Sequence, residues 1–172
     1  MKRIICFVLV FVSLCSLAFA EEGIFVPGYQ TFMSEFSQRL KQIDPDLNKT
    51  LEKEYKRAGK WAEDDSSVYI ISGKPRFSPE EANGFLKRFL VDIPSENMAR
   101  YRETFEEIMV AAAESISQTV DTQTFLEDIN AAYVIDSPAN SVTMYYQHGV
   151  YTFRLSKYNT KYEFCVAVGV ME

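Results

Sequence analysis

The chain has 172 residues, with 18 Lys and Arg against 24 Asp and Glu and a net charge of −6 at pH 7. So acidic a chain lacks the clustered cations that nucleic-acid phosphates demand, and it gains nothing from an anionic membrane surface. Three Cys and a single His rule out a multi-histidine zinc site, so no metal or cofactor is expected.

Residues 1–20 read as a cleavable export signal. Lys2 and Arg3 are followed by an apolar run from Ile4 to Leu17, and Ala18-Phe19-Ala20 places small residues where a signal peptidase reads them. The run is at the short edge of what a spanning helix needs. Leu14 before Cys15 does not suit a lipoprotein signal. An exported chain, periplasmic or extracellular, is therefore expected to start near Glu21, with residues 21–172 forming one α+β domain. Without Lys2 and Arg3, 16 basic residues face 24 acidic ones, a net charge of −8. Cys6 and Cys15 leave with the leader, so Cys165 is the one thiol through which two chains could be joined into a homodimer. The alternative is a small buried thiol. No later segment is long and apolar enough to span a bilayer.

Helices are expected over about 31–118. Phe32, Met33, Phe36, Leu40 and Ile43 recur at helical spacing, Pro45 interrupts, and Leu47, Leu51 and Tyr55 restart the period. Trp61 is expected to pack at that helix end. Val68-Tyr69-Ile70-Ile71 is a short strand candidate. Ser78-Pro79-Glu80-Glu81 has the order of a capping box, with Pro at the first helical position. It predicts a helix burying Ala82, Phe85, Leu86, Phe89 and Leu90. Pro94-Ser95 then opens a long helix to about Ser117 along Met98, Tyr101, Phe105, Ile108, Met109, Ala112 and Ile116. Asp121 or Thr124 caps a short helix ending near Asn130.

From about 132 to 170 the period switches to two, which predicts a four-stranded antiparallel β-meander. A turn at His148-Gly149 pairs Tyr146 with Tyr151 and Met144 with Phe153. A turn at Asn159-Thr160 pairs Leu155 with Phe164, Phe153 with Val166 and Tyr151 with Val168. A turn at Ser137–Asn140 pairs Ile135 with Val142 and Tyr133 with Met144. All these apolar residues then share one face, which the helices must cover. A long helix across a meander resembles cystatin-like and NTF2-like arrangements; that resemblance is one of topology and implies no function.

Signatures of chemistry are sparse. The chain has no C-x-x-C, H-E-x-x-H, G-x-S-x-G or phosphate loop. His148 falls at a predicted hairpin tip, where a turn residue is the ordinary reading. Asp44 to Asn48 opens like a calcium loop, but Lys49 and Tyr55 stand where Gly and Glu are required, and a helix stop with an Asp cap explains the run better. Asp64-Asp65 reads as a solvated turn. Asn48-Lys49-Thr50 is a formal glycosylation sequon. Glu103 and Glu107 lie one helical turn apart; paired carboxylates can act as acid and base, but a solvated polar face opposite Phe105, Ile108 and Met109 is the preferred reading. On the outer sheet face, Tyr145, Thr152, Arg154 and Glu163 mix an aromatic ring with charge, a composition found at binding surfaces and also on ordinary solvated sheets. The expectation is a non-catalytic exported protein binding a protein or small ligand through that face. The alternative is a carboxylate-dependent hydrolase of the cell envelope or exterior using Glu103 and Glu107.

Overall fold

The computed structural model describes residues 27–62, 73–134, 141–148 and 150–168, with the backbone alone at 129–134 and 141–148. Helix α1 (Tyr29–Ile43) turns sharply into α2 (Pro45–Tyr55). Asp44 ends the first and caps the second: its carboxylate accepts from the N–H groups of Asp46 and Leu47 at 2.9 and 3.0 Å, ahead of Pro45 at the first helical position. Two short strands follow, β1 (Lys56–Arg57) and β2 (Lys60–Trp61). Trp61 is buried and its indole N–H donates to Ser34 Oγ at 3.1 Å, so it packs at the helix end as expected. Asn48 of the sequon is buried in α2 and accepts from Ser37 Oγ at 2.8 Å, which leaves no room for a glycan. The strand candidate at Val68–Ile71, the leader and Asp64-Asp65 lie outside the described residues.

The segment expected to form a helix after Ser78 is a β-hairpin instead. Strands β3 (Arg76–Ala82) and β4 (Phe85–Pro94) pair antiparallel across Asn83-Gly84. Both turn residues have positive φ, 55° and 84°, the conformation that matches the twist of a two-residue hairpin. Phe89, Val91 and Ile93 are buried at period two. Pro79 sits on an edge strand of the described sheet, where its missing N–H is tolerated and the edge is blunted. A bulge skips Lys87: Glu80 pairs with Arg88 and Glu81 with Leu86. It resets the alternation, so that Leu86 enters the core while Phe85 stays half exposed.

The long helix α3 (Ser95–Ile116) and the shorter α4 (Thr122–Val134) come next. Asp121 caps α4, accepting from the N–H groups of Gln123 and Thr124 at 3.2 Å. The helix runs through Tyr133, so the expected strand around Tyr133 and its pairing with Met144 do not form; Ile135 lies outside the described residues.

Strands β5 (Ser141–His148), β6 (Tyr151–Tyr158) and β7 (Lys161–Val168) make a meander of three, and the hairpin joins it through β4. The sheet order is β3-β4-β7-β6-β5, antiparallel throughout. The β6–β7 register is the one read from the sequence, with Leu155 opposite Phe164 and Phe153 opposite Val166. The β5–β6 register is two residues further along, with His148 opposite Tyr151 and Tyr146 opposite Phe153. A slip of two keeps every residue on its expected face, whereas a slip of one would not.

The helices cover one face. Phe89 meets Phe32 and Phe36 of α1 edge-on at 5.1 and 4.7 Å, and Phe125 of α4 meets Phe153 and Phe164 at 5.4 and 6.1 Å. Phe105, Ile108, Met109 and Ala112 of α3 complete this core. The result is an α+β fold with an antiparallel sheet covered by helices on one side. No described helix is long and apolar enough to cross a membrane.

Candidate functional site

The face away from those ring contacts is read most simply as three rows crossing all five strands. Arg76, Asp92, Glu163, Ser156 and Thr143 make one row; Ser78, Leu90, Cys165, Arg154 and Tyr145 the next; Glu80, Arg88, Ala167, Thr152 and Gln147 the third. The register thus places all four sequence-read site residues on one face, with Arg154 between Cys165 and the Tyr145 position.

All three rows carry charge. Arg76 grips Asp92 with Nε and Nη2, each at 2.5 Å from a different carboxylate oxygen. Lys161 donates to Glu163 at 2.5 Å and lies 3.8 Å from Asp92. Arg154 Nη2 donates to the other oxygen of Glu163 at 3.0 Å. Asp92 and Glu163 keep only 5% and 9% of their side chains in solvent, against 20% for Arg154 and 35% for Lys161. The carboxylates form the floor of the cluster and the cations its rim. Across β7, Glu80 is paired with Arg88 and lies 3.5 Å from Lys87, the two residues that the bulge sets opposite it.

Two features of this face are not explained by mutual pairing. Arg154 Nε is buried and has no hydrogen-bond partner among the described residues. Locally the charge is also positive in an otherwise acidic chain: Arg76, Lys87, Arg88, Arg154 and Lys161 outnumber Glu80, Asp92 and Glu163.

Cys165 lies in the middle of the face and is 1% exposed. Burial pushes its thiol up from 9.0 to about 11, outweighing Arg154 and Arg88, which favour the thiolate, while Glu163 and Glu80 add to the rise. A thiol so placed is a poor nucleophile.

Asp92 and Arg88 escape the sequence because β4 reads there as a helix, and Arg76 and Lys161 escape it because their partner Asp92 lies on that strand. The signal that could have found them is Asn83-Gly84, the strongest short hairpin marker, between two alternating runs. Elsewhere, Glu103 and Glu107 are exposed on α3, and Glu106 between them bonds Arg102 at 2.9 Å. His148 closes β5 opposite Tyr151 rather than occupying a turn. Among the described residues no group of three or more His, Cys, Asp or Glu is placed to hold a metal ion.

No family model, curated protein or solved structure matches this chain.

Proposed function

We propose that the protein is a non-catalytic binding protein that works outside the cytoplasm, after loss of residues 1–20, and that it binds through the sheet face opposite the helices. One observation carries the reading. The register gathers Tyr145, Thr152, Arg154 and Glu163 on a single face, and that face holds a buried guanidinium donor, Arg154 Nε, with no partner among the described residues. Buried polar groups in native proteins are nearly always satisfied, so an orphaned charged donor on this face calls for an acceptor, which a partner could supply. Tyr and Arg are also the residue types enriched at binding hot spots.

The export half is tested by N-terminal sequencing of the chain recovered outside the cytoplasm. A start at Glu21 supports it; a retained leader contradicts it. For the binding half, the tagged mature chain is used to recover its partner from the same compartment. Tyr145→Ala with Arg154→Ala should weaken that recovery by about tenfold or more, the scale of losing a hot-spot pair. Undiminished recovery by the folded double variant counts against the sheet face.

A further inference from the structure

We propose that Asn83 is a site of spontaneous deamidation, and that Glu81 sets its rate by holding the main-chain amide that attacks it. The site is the tip of the β3–β4 hairpin and does not depend on the sheet face binding anything.

Asparagine followed by glycine is the pair most prone to this reaction, because a residue without a Cβ leaves its amide free to approach the preceding side chain. Both residues are exposed at the tip, and a Cβ built at Gly84 would meet nothing within 4 Å, so a ring between them has room. The Gly84 nitrogen gives up its proton to solvent and attacks the Asn83 side-chain carbonyl carbon. A C–N bond forms there, the bond to Nδ2 breaks, and Nδ2 leaves as ammonia after taking a proton from solvent. Water then opens the succinimide ring. Opening at the side-chain carbonyl gives aspartate; opening at the main-chain carbonyl gives isoaspartate, whose main chain is one carbon longer. The sum is amide plus water giving acid plus ammonia, with nothing oxidised or reduced.

The turn itself holds the reaction back. The Gly84 N–H, the group that must lose its proton, donates to Glu81 Oε1 at 3.0 Å. While that bond stands, the nitrogen keeps its proton and is turned toward Glu81. The carboxylate also sets a negative charge beside the nitrogen, which opposes forming an anion there. Once formed, isoaspartate does not fit a turn that needs positive φ at both residues, 55° and 84° here. Gly84 O, which accepts from the Tyr29 N–H at 2.9 Å, and Phe85, which bridges Gly28, move with it. Deamidation at the tip therefore loosens the start of α1.

The test ages the purified protein at mildly alkaline pH in heavy-oxygen water and reads the peptides carrying Asn83 and Asn97 by mass spectrometry. Wild type should gain labelled aspartate and isoaspartate at Asn83 and far less at Asn97, which Met98 follows inside α3. Glu81→Ala should gain them about fivefold faster, the kinetic worth of one exposed hydrogen bond. Glu81→Gln keeps an acceptor without the charge and should fall between the two. In urea, where the turn is lost, all three chains should age at one rate. Amide exchange at Tyr29 should quicken in aged wild type. Three results would overturn the proposal: no label at Asn83, a folded Glu81→Ala that ages no faster than wild type, or the same acceleration persisting in urea, which would place the effect in the local sequence rather than in the turn.

Discussion

Asp92 and Glu163 stand directly opposite each other on adjacent strands, two buried carboxylates in one row of the sheet. Like charges so placed repel. The arrangement holds because Arg76 brackets Asp92 from the strand on one side, Arg154 pairs Glu163 from the strand on the other, and Lys161 reaches both. These ion pairs therefore tie the β3–β4 hairpin to the meander.

Breaking one side of that cluster should be costly. Arg76→Ala leaves Asp92 buried with only the distant Lys161, and the expected loss is about 3–5 kcal/mol in urea denaturation. Replacing both partners, Arg76→Met with Asp92→Leu, should recover most of it, since apolar groups need no compensation. A single variant as stable as wild type would show the pair to be idle.

Burial of Cys165 gives the fold a pH dependence. Its folded-state pKa is raised to about 11 from 9.0, so folding favours the neutral thiol. The associated stability is complete below about pH 9 and is lost as pH rises through about 11, on the order of 2–3 kcal/mol for this group. Urea denaturation of wild type and Cys165→Ala across that window should show the slope shrinking in the variant. Cys165 should also resist thiol reagents until urea is added, and sizing should not change with reductant.

Tyr151 offers a stabilising change. Its hydroxyl is buried on the helix-facing side without a partner among the described residues, and burial pushes its pKa from 10.0 up to about 12. Tyr151→Phe keeps the ring and removes the unsatisfied group, so it should raise stability by about 1 kcal/mol. A melting temperature lowered by this substitution would mean that the hydroxyl has found a partner.

The Asn83-Gly84 turn is sensitive for a different reason. Gly84 has φ +84°, and a Cβ there would meet nothing within 4 Å, so the cost of Gly84→Ala is conformational alone. It should be about 1–2 kcal/mol. Because Tyr29 N–H donates to Gly84 O at 2.9 Å, the loss should loosen the start of α1 as well, which amide exchange at Tyr29 can follow.

Much of this fold was readable where a hydrophobic period is long and unmixed. The stripe from Phe32 to Leu40, the Asp44 cap, the course of Ser95–Ile116 and the β6–β7 register all follow from local spacing. The Ser78–Glu81 segment misled because Ser-Pro-Glu-Glu suits a helix start as well as a blunted edge strand, and only the turn two residues later separates the two. Tyr133 sits at the end of a 13-residue helix of weak amphipathicity, where two residues of apparent alternation imitate a strand. Arg154 and Glu163 could be placed on one face from the period of two. Their ties to Asp92 and Arg76 could not, because those contacts pass through a strand misread as helix.

The central claim, that the protein binds through the sheet face rather than the helical one, is tested most directly by photocrosslinking in the exporting cell. A photoreactive residue is placed at Tyr145 on the sheet face or at Glu107 on α3. The account predicts a discrete adduct from Tyr145, diminished by Arg154→Lys, and none from Glu107. An adduct from Glu107 with none from Tyr145 would contradict it.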